Sequence, residues 1–287
     1  MPASASGSST PPFFMPEHTS CSSWPKFATP EHDITATVRK QNLYRAAHRG
    51  DWKATIDILS QDSTLRNAEL NGESATALHV AVGTGKAIHY VEELVKGMRP
   101  MDLEKKDRNG QTPLMIAAII GNIEAAKLLV RRNQGLLYLC GNKGLLPVHI
   151  AAQYGQKDML LYLLKVTRSD DPSRPYASKS GAQLLHYIIQ AEFYDVATSL
   201  VSKYPELIDE SYTISHSVTP PLTVLATNPS AFQRSVSWWR RLYACIFTRW
   251  QISNDRCSTG STTPDEERQS PWRVVRCISM VEKLLLQ

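Results

Sequence analysis

Residues 107–129 read DRNGQTPLMIAAIIGNIEAAKLL, and this stretch decides the fold. Its first letters predict a turn, the apolar run from Pro113 predicts a short helix, and Gly121 predicts a break before a second helix. Weaker copies of the same pattern occur along the chain. We therefore predict a repeat protein, because self-similarity at a fixed period is the sequence signature of repeat architectures.

The copies align on one apolar position near the start of each first helix. That position recurs at offsets of 35, 36, 34, 37 and 37 residues, through Leu43, Leu78, Leu114, Val148, Leu185 and Leu222. Around it, residues 76–81 read TALHVA and residues 146–152 read LPVHIAA, close to the Thr-Pro-Leu-His-x-Ala signature of a period of about 33. The chain therefore resembles an ankyrin-repeat protein. The resemblance implies an all-α solenoid of about five and a half helix-turn-helix repeats over roughly residues 40–230.

Each signature residue has a physical role in such a repeat. Pro113 suits the first turn of a helix, where its missing N–H is not needed, and Thr112 before it can cap that turn. The small pair Ala117-Ala118 lets neighbouring helices approach closely, and Gly121 can adopt the positive φ that ends a helix. Because no repeat can bury its apolar face alone, the stack itself forms the core.

The segments that flank the repeats differ from them in composition. Residues 1–40 are rich in Ser, Pro and Thr, which predicts a disordered N-terminal tail without a signal peptide. We assign residues 41–230 to the repeats, 231–252 to an aromatic and basic helical cap, and 253–271 to a polar linker. Residues 272–287 carry apolar side chains at helical spacing, which predicts an amphipathic C-terminal helix.

Two further runs resemble a particular group of ankyrin-repeat proteins. Residues 219–232 read TPPLTVLATNPSAF and residues 238–243 read WWRRLY. They resemble the middle region of plant ankyrin-repeat proteins that end in a membrane domain named for its Pro-Gly-Gly motif. The resemblance implies membrane-located signalling in defence and salt-stress responses. This chain has no Pro-Gly-Gly motif and no apolar run of about 18 residues, so we expect the front half of such a protein without the membrane domain. Whether Gln287 is a natural end or the end of an incomplete gene model stays open.

Composition points to an ordinary globular chain. A net charge of +5, with 42% hydrophobic and 21% charged residues, is typical of that class. The repeats contain no lysine and arginine cluster interleaved with aromatics, so we do not predict nucleic-acid binding. Five cysteines without C-x-x-C spacing favour reduced thiols inside the cell. We expect a cytoplasmic location, with the cytoplasmic face of the plasma membrane as the alternative.

Catalytic interpretations find little support in the repeats. His79, His149 and His186 share one repeat position, where we expect hydrogen bonds to the neighbouring turn rather than a common metal site. Cys140 and His149 lack an orienting carboxylate at a suitable spacing for nucleophilic catalysis. The glycine-containing turns do not match a phosphate-binding loop. We predict that the chain is not an enzyme and holds neither cofactor nor metal.

The repeats predict a binding surface instead. Stacked helix pairs with projecting turns form an extended concave surface that contacts another protein. One of the neighbouring isoleucines at 119 and 120 should point away from the core, where it is costly in water unless covered. The candidate partner contacts are Arg108, Asn109, Asn142, Lys143, Ile119, Gln153 and Tyr154. The sequence does not identify the partner.

A membrane surface is the alternative partner. Residues 238–250 combine aromatic side chains with arginines, which suits a helix lying in the headgroup layer of a bilayer. The candidate membrane contacts are Trp238, Trp239, Arg240, Arg241 and Trp250. Apolar residues occur nearly all round this helix, however, which favours a cap packed over the end of the stack.

Overall fold

The structure is a computed structural model, and paired helices make up most of the part of the chain that it describes. It describes residues 30–85, 88–168, 175–176, 178–208, 212–214 and 217–219. Within these ranges the pairs are α1 (Pro30–Arg49) with α2 (Trp52–Gln61), α3 (Ala77–Thr84) with α4 (Ile88–Lys96), α5 (Pro113–Ile120) with α6 (Ile123–Arg132), α7 (Pro147–Gln153) with α8 (Lys157–Val166), and α9 (Ser178–Gln190) with α10 (Tyr194–Lys203). Short 3-10 helices span Ser63–Asn67, Pro100–Glu104, Gln134–Tyr138 and Pro205–Ile208. The predicted all-α solenoid of helix pairs is confirmed.

The pairs stack in two layers. The first helices α3, α5, α7 and α9 pack against one another in sequence, and the second helices α4, α6 and α8 form a parallel series. Each first helix also contacts the second helix of its own repeat. Every repeat from the second to the fourth is therefore held both within itself and by its neighbours.

The aligned apolar position lies at the centre of each interface. Leu43, Leu78, Leu114, Val148 and Leu185 are all at most 1% exposed, which confirms the predicted register of five repeats. The alanine pairs that follow in repeats 3 and 4 are fully buried, as close helix packing requires. The second helix of repeat 2 buries four apolar residues at helical spacing, Tyr90, Val91, Leu94 and Val95.

The ends of the first helices follow the predicted chemistry. The Thr112 hydroxyl accepts a hydrogen bond from the Met115 N–H (3.4 Å), and Pro113 is the first helical residue of α5. Gly121 ends the same helix at a φ of 81°. In repeat 5 the equivalent residue is Glu192, which adopts a φ of 62° without the freedom of a glycine.

The structure departs from the sequence predictions at two places. Helix α1 begins at Pro30, so residues 30–40 are helical and do not belong to a disordered tail. Proline is common at the first position of a helix. The sequence after Pro30 is polar and only weakly periodic, so it gave no further indication that this helix begins there. An antiparallel hairpin of Tyr212–Ile214 and Ser217–Thr219, which we did not predict, leads into the expected sixth repeat.

Several sequence predictions fall outside the described residues. They are the tail over residues 1–29, the remainder of the sixth repeat, the cap over 231–252, the linker over 253–271 and the C-terminal helix over 272–287. Among the helices that the structure does describe, none combines the length and the apolar character needed to cross a bilayer.

Replacing Leu129 with Ala tests the stack. Leu129 on α6 is fully buried in the core, so the truncation removes apolar contacts and leaves a cavity. We expect a loss of roughly 2–5 kcal/mol in the free energy of unfolding, measured by urea denaturation. Leu161 on α8 is 45% exposed, and its replacement with Ala should cost less than about 0.5 kcal/mol. Equal losses from the two variants would contradict the assigned register.

Candidate functional site

A tight turn opens repeat 3 and presents two predicted contact residues. The Gly110 N–H donates to the Asp107 carbonyl (2.9 Å), and the Gln111 N–H donates to Oδ1 of Asp107 (2.8 Å). Gly110 closes the turn at a φ of 73°, a conformation that disfavours side chains. Arg108 and Asn109 therefore lie at the tip of the turn, and both are exposed.

The same turn geometry recurs in repeat 4. The Gly144 N–H donates to the Gly141 carbonyl (2.9 Å), and Gly144 adopts a φ of 70°. Asn142 and Lys143 occupy the tip, and both are exposed. The structure thus places all four predicted turn residues at equivalent, solvent-facing positions.

Contacts between neighbouring repeats join the turn tips into one row. The Arg108 N–H donates to the Glu73 carbonyl of repeat 2 (2.8 Å). The Lys106 ammonium donates to the Cys140 carbonyl of repeat 4 (2.8 Å). The Asn142 side chain lies over Gly110, where any added Cβ would collide with it. The spacing of the tips is therefore set by hydrogen bonds and close packing.

A second row of exposed residues lies at the ends of the first helices. Ile120 ends α5 and is 42% exposed, and Tyr154 follows α7 and is 52% exposed. Each directly precedes a glycine of positive φ, so the two residues hold the same repeat position. Gln153 beside Tyr154 is exposed as well.

The structure places Ile119, our predicted contact, differently from Ile120. Ile119 is half-buried and packs against the core, and its carbonyl accepts a hydrogen bond from the Gln156 side chain (3.1 Å). Ile120 is the isoleucine that points to solvent. The sequence showed that one of the two had to face outward, but it did not show which.

Two glycines of repeat 2 widen the exposed apolar area, a feature that the sequence analysis missed. A Cβ at Gly83 would lie 3.6 Å from Cγ2 of Ile116, and a Cβ at Gly85 would lie 3.8 Å from Cγ2 of Ile120. Because neither glycine has a side chain, no Cβ at these two positions covers the two Cγ2 methyl groups. The signal in the sequence was the spacing of these glycines one repeat before the isoleucines.

We call the combined rows the first-helix face. Its members are Arg108, Asn109, Asn142, Lys143, Ile120, Gln153 and Tyr154. The tips and the helix ends are separated by the length of a first helix, roughly 12 Å for eight residues. The face therefore joins polar and basic tips to an apolar and aromatic row.

His79, the first of the recurrent histidines, connects repeat 2 with repeat 3. The Thr76 N–H donates to Nδ1 of His79 (3.3 Å), and Nε2 of the ring donates to the Gln111 carbonyl of the next repeat (3.2 Å). These partners require the neutral ring with its proton on Nε2, because a backbone N–H only donates and a carbonyl only accepts. His79 is consequently a structural residue.

His149 makes the same pair of hydrogen bonds two repeats further along the stack. Nδ1 accepts from the Leu146 N–H (3.3 Å), and Nε2 donates to the Ser180 carbonyl (2.9 Å). Burial lowers the pKa of His149 from its ordinary value of 6.5 to about 4, and it lowers the pKa of His79 as well. In repeat 3, Met115 holds this position, and the Thr112 N–H lies 3.5 Å from its sulfur.

These contacts bear on the catalytic interpretations. Both ring nitrogens of His149 are occupied, so the ring is not available as a base for Cys140, which is exposed. His186 packs edge-on against Tyr187, with ring centroids 5.7 Å apart. Within the described ranges, no three His, Cys, Asp or Glu side chains are grouped to hold a metal ion.

The predicted membrane contacts lie outside the described residues. Trp238, Trp239, Arg240, Arg241 and Trp250 all follow Thr219, the last residue that the structure describes.

Comparison with known proteins agrees with the geometry. Residues 43–136 match the family model described as ankyrin repeats (3 copies). The probable E3 ubiquitin-protein ligase XBOS31 of rice is 32% identical over 123 residues, which covers 43% of this chain and 27% of that protein. Protein ACCELERATED CELL DEATH 6 of Arabidopsis thaliana is 30% identical over 165 residues, covering 50% and 24%. Mouse Rabankyrin-5 is 28% identical over 137 residues, covering 48% and 11%. The chain thus spans about a quarter or less of the length of these relatives.

The buried state of His149 predicts how stability depends on pH. The unfolded chain binds a proton on this ring near pH 6.5, whereas the folded chain does so only near pH 4. The neutral ring therefore contributes stability above pH 6.5, and that contribution, on the order of 3 kcal/mol, is lost as the pH falls towards 4. The variant His149→Met, which copies repeat 3, should show a shallower fall when the free energy of unfolding is measured at pH 7 and pH 4. An unchanged pH dependence would contradict the lowered pKa of the buried His149 ring.

Proposed function

Since the chain carries ankyrin repeats, we propose that it is a protein-binding module whose first-helix face contacts a partner protein. The observation that carries this proposal is the exposure of Ile120 and Tyr154 at the same position of adjoining repeats. Neither residue contributes much to the core, yet both present large apolar surface to water. A partner that covers them gains hydrophobic stabilisation without disturbing the stack.

The composition of the face suits a protein partner. Interfaces are enriched in tyrosine and arginine, and a few central residues of this kind carry most of the binding energy. Tyr154 provides the aromatic anchor, with Ile120 beside it in the neighbouring repeat. Arg108 and Lys143 at the turn tips add positive charge at the rim, which favours a partner with acidic groups opposite them.

More specifically, we propose that the chain is a non-catalytic scaffold in the cytoplasm of a plant cell, acting in stress or defence signalling. Its support is the similarity to rice and Arabidopsis proteins, one of them named for accelerated cell death and one for ubiquitin ligation. Because the chain matches only about a quarter of each, ligase activity is not carried over. The buried, hydrogen-bonded histidines support a role in binding rather than in catalysis.

Paired substitutions on the two layers test the proposed face. The tagged chain is used to capture partners from plant extract, and each captured protein is then purified and titrated against the variants. The double variant Ile120→Ser with Tyr154→Ser should weaken binding about tenfold or more, because it removes both apolar anchors. Leu161→Ser on α8 is the matched control, since Leu161 is 45% exposed on the other layer. Thermal unfolding confirms that each variant is folded.

Two results would overturn the assignment. A partner that binds the double variant as tightly as the unchanged chain does not use the first-helix face. A partner that is lost equally with Leu161→Ser is responding to general surface hydrophobicity or to altered folding.

A second candidate function is membrane attachment. The observation that favours it is the aromatic and arginine content of residues 238–250, either as a peripheral anchor or within the front half of a multi-pass membrane ankyrin protein. Co-sedimentation with anionic liposomes distinguishes it from our preferred cap, using the full chain and a form cut at Pro229. We expect no co-sedimentation of either form and aggregation of the cut form. Binding by the full chain alone would establish the membrane function.

A further inference from the structure

A groove of about 520 Å³ lies in the second-helix layer, between α6 and α8. Its floor is apolar and consists of Val130, Leu137, Val166 and the ring of Tyr162. Val130 and Leu137 are 6% and 3% exposed, so they belong to the core as well as to the groove. The floor is therefore part of the packing between repeats 3 and 4.

Three cations line the rim of this groove. Lys127 and Arg131 come from α6, and Arg168 comes from the segment after α8. The backbone N–H of Arg168 donates to the Tyr138 hydroxyl (3.0 Å), which fixes the main chain there. Lys127 lies 2.8 Å from the Glu124 carboxylate, so part of its charge is already compensated. The lining itself, all of it within the described residues, contains no acidic side chain.

Tyr162 adds a donor between the apolar floor and the charged rim. Burial raises the pKa of its phenol, and the nearby Lys127 and Arg131 oppose that rise. The hydroxyl therefore stays protonated at neutral pH and can donate a hydrogen bond to an anion. Together with Gln134, the groove offers polar donors and positive charge above an apolar base.

We propose that this groove binds a short acidic peptide segment of a partner protein, with an aliphatic side chain on the floor and a carboxylate beside Arg131. Charge complementarity selects the acidic groups, since arginine forms strong hydrogen bonds with carboxylates. The apolar floor selects the aliphatic side chain, which a free inorganic anion does not possess. The volume exceeds what a single phosphate fills. This site is separate from the first-helix face and does not depend on it.

The test uses a fluorescein-labelled heptapeptide of alternating glutamate and leucine, titrated against the full chain by fluorescence anisotropy. Two comparison peptides replace either the glutamates with glutamine or the leucines with serine. The protein variants are Arg131→Glu in the groove and Lys165→Glu as its match. Both residues lie in the last turn of a second helix and both are exposed, but Lys165 does not line the groove.

We expect Arg131→Glu to weaken binding of the glutamate and leucine peptide about tenfold, because attraction is replaced by repulsion. Lys165→Glu should change the affinity by less than about twofold. Both comparison peptides should bind at least about fivefold more weakly than the original. The double variant of the first-helix face should bind the peptide as the unchanged chain does, which separates this proposal from the proposed function.

Five outcomes would overturn the proposal. Equal weakening by Arg131→Glu and Lys165→Glu would mean that only the net charge matters. Equal binding of the serine peptide, or full displacement by millimolar inorganic phosphate, would identify a general anion site. If the chain bound anionic vesicles at least as tightly as it binds the peptide, and Arg131→Glu abolished that binding, the groove would be assigned to lipid headgroups. Self-association of the chain that Arg131→Glu abolishes would identify a second copy as the occupant.

Discussion

The burial of one apolar face by the next repeat is the interaction on which this structure depends. Leu78, Leu114 and Val148 have almost no exposed surface, and each is covered in part by residues of the neighbouring helix pair. A single pair of helices of about eight to ten residues is too short to be stable by itself in water. Most of the stability therefore comes from the interfaces between repeats, and the stability of each repeat depends on its contacts with the adjoining repeats.

Polar groups at these interfaces form hydrogen bonds across the stacked repeats. The Thr55 hydroxyl and the Tyr90 hydroxyl share a hydrogen bond between repeats 1 and 2 (2.9 Å). Arg132 of repeat 3 donates to the Met98 carbonyl of repeat 2 (3.0 Å), and His149 reaches from repeat 4 to Ser180. Such bonds are directional, so they fix the register between layers that apolar contacts alone would leave adjustable. Thr55 and His149 are buried, and an unpaired polar group at either position would be costly, which makes their bonds a requirement of the stack.

Much of this architecture was predictable because the constraints act locally. The repeat period, the helix-ending glycines and the buried stripe of Tyr90 and Leu94 follow from backbone geometry and helical spacing, which a sequence shows directly. The exposure of Ile120 rather than Ile119 was not predictable, because it depends on the exact rotation of α5 where the helix ends. The groove between α6 and α8 was not predictable from the sequence either. Its cations come from two repeats and meet only through the packing of α6 and α8.

The two-layer arrangement has a consequence for how such a chain can use its surface. Residues of the first-helix face and residues of the groove belong to different layers, and the buried leucines and alanines between them cannot be replaced without loss of packing. Functional variation is thereby confined to turn tips, helix ends and the outer sides of second helices. Since the core between them is close-packed, two partners on opposite layers would be held at a fixed separation by the stack. A chain that binds through both surfaces would thus bring its partners together by rigid geometry, without needing a conformational change to do so.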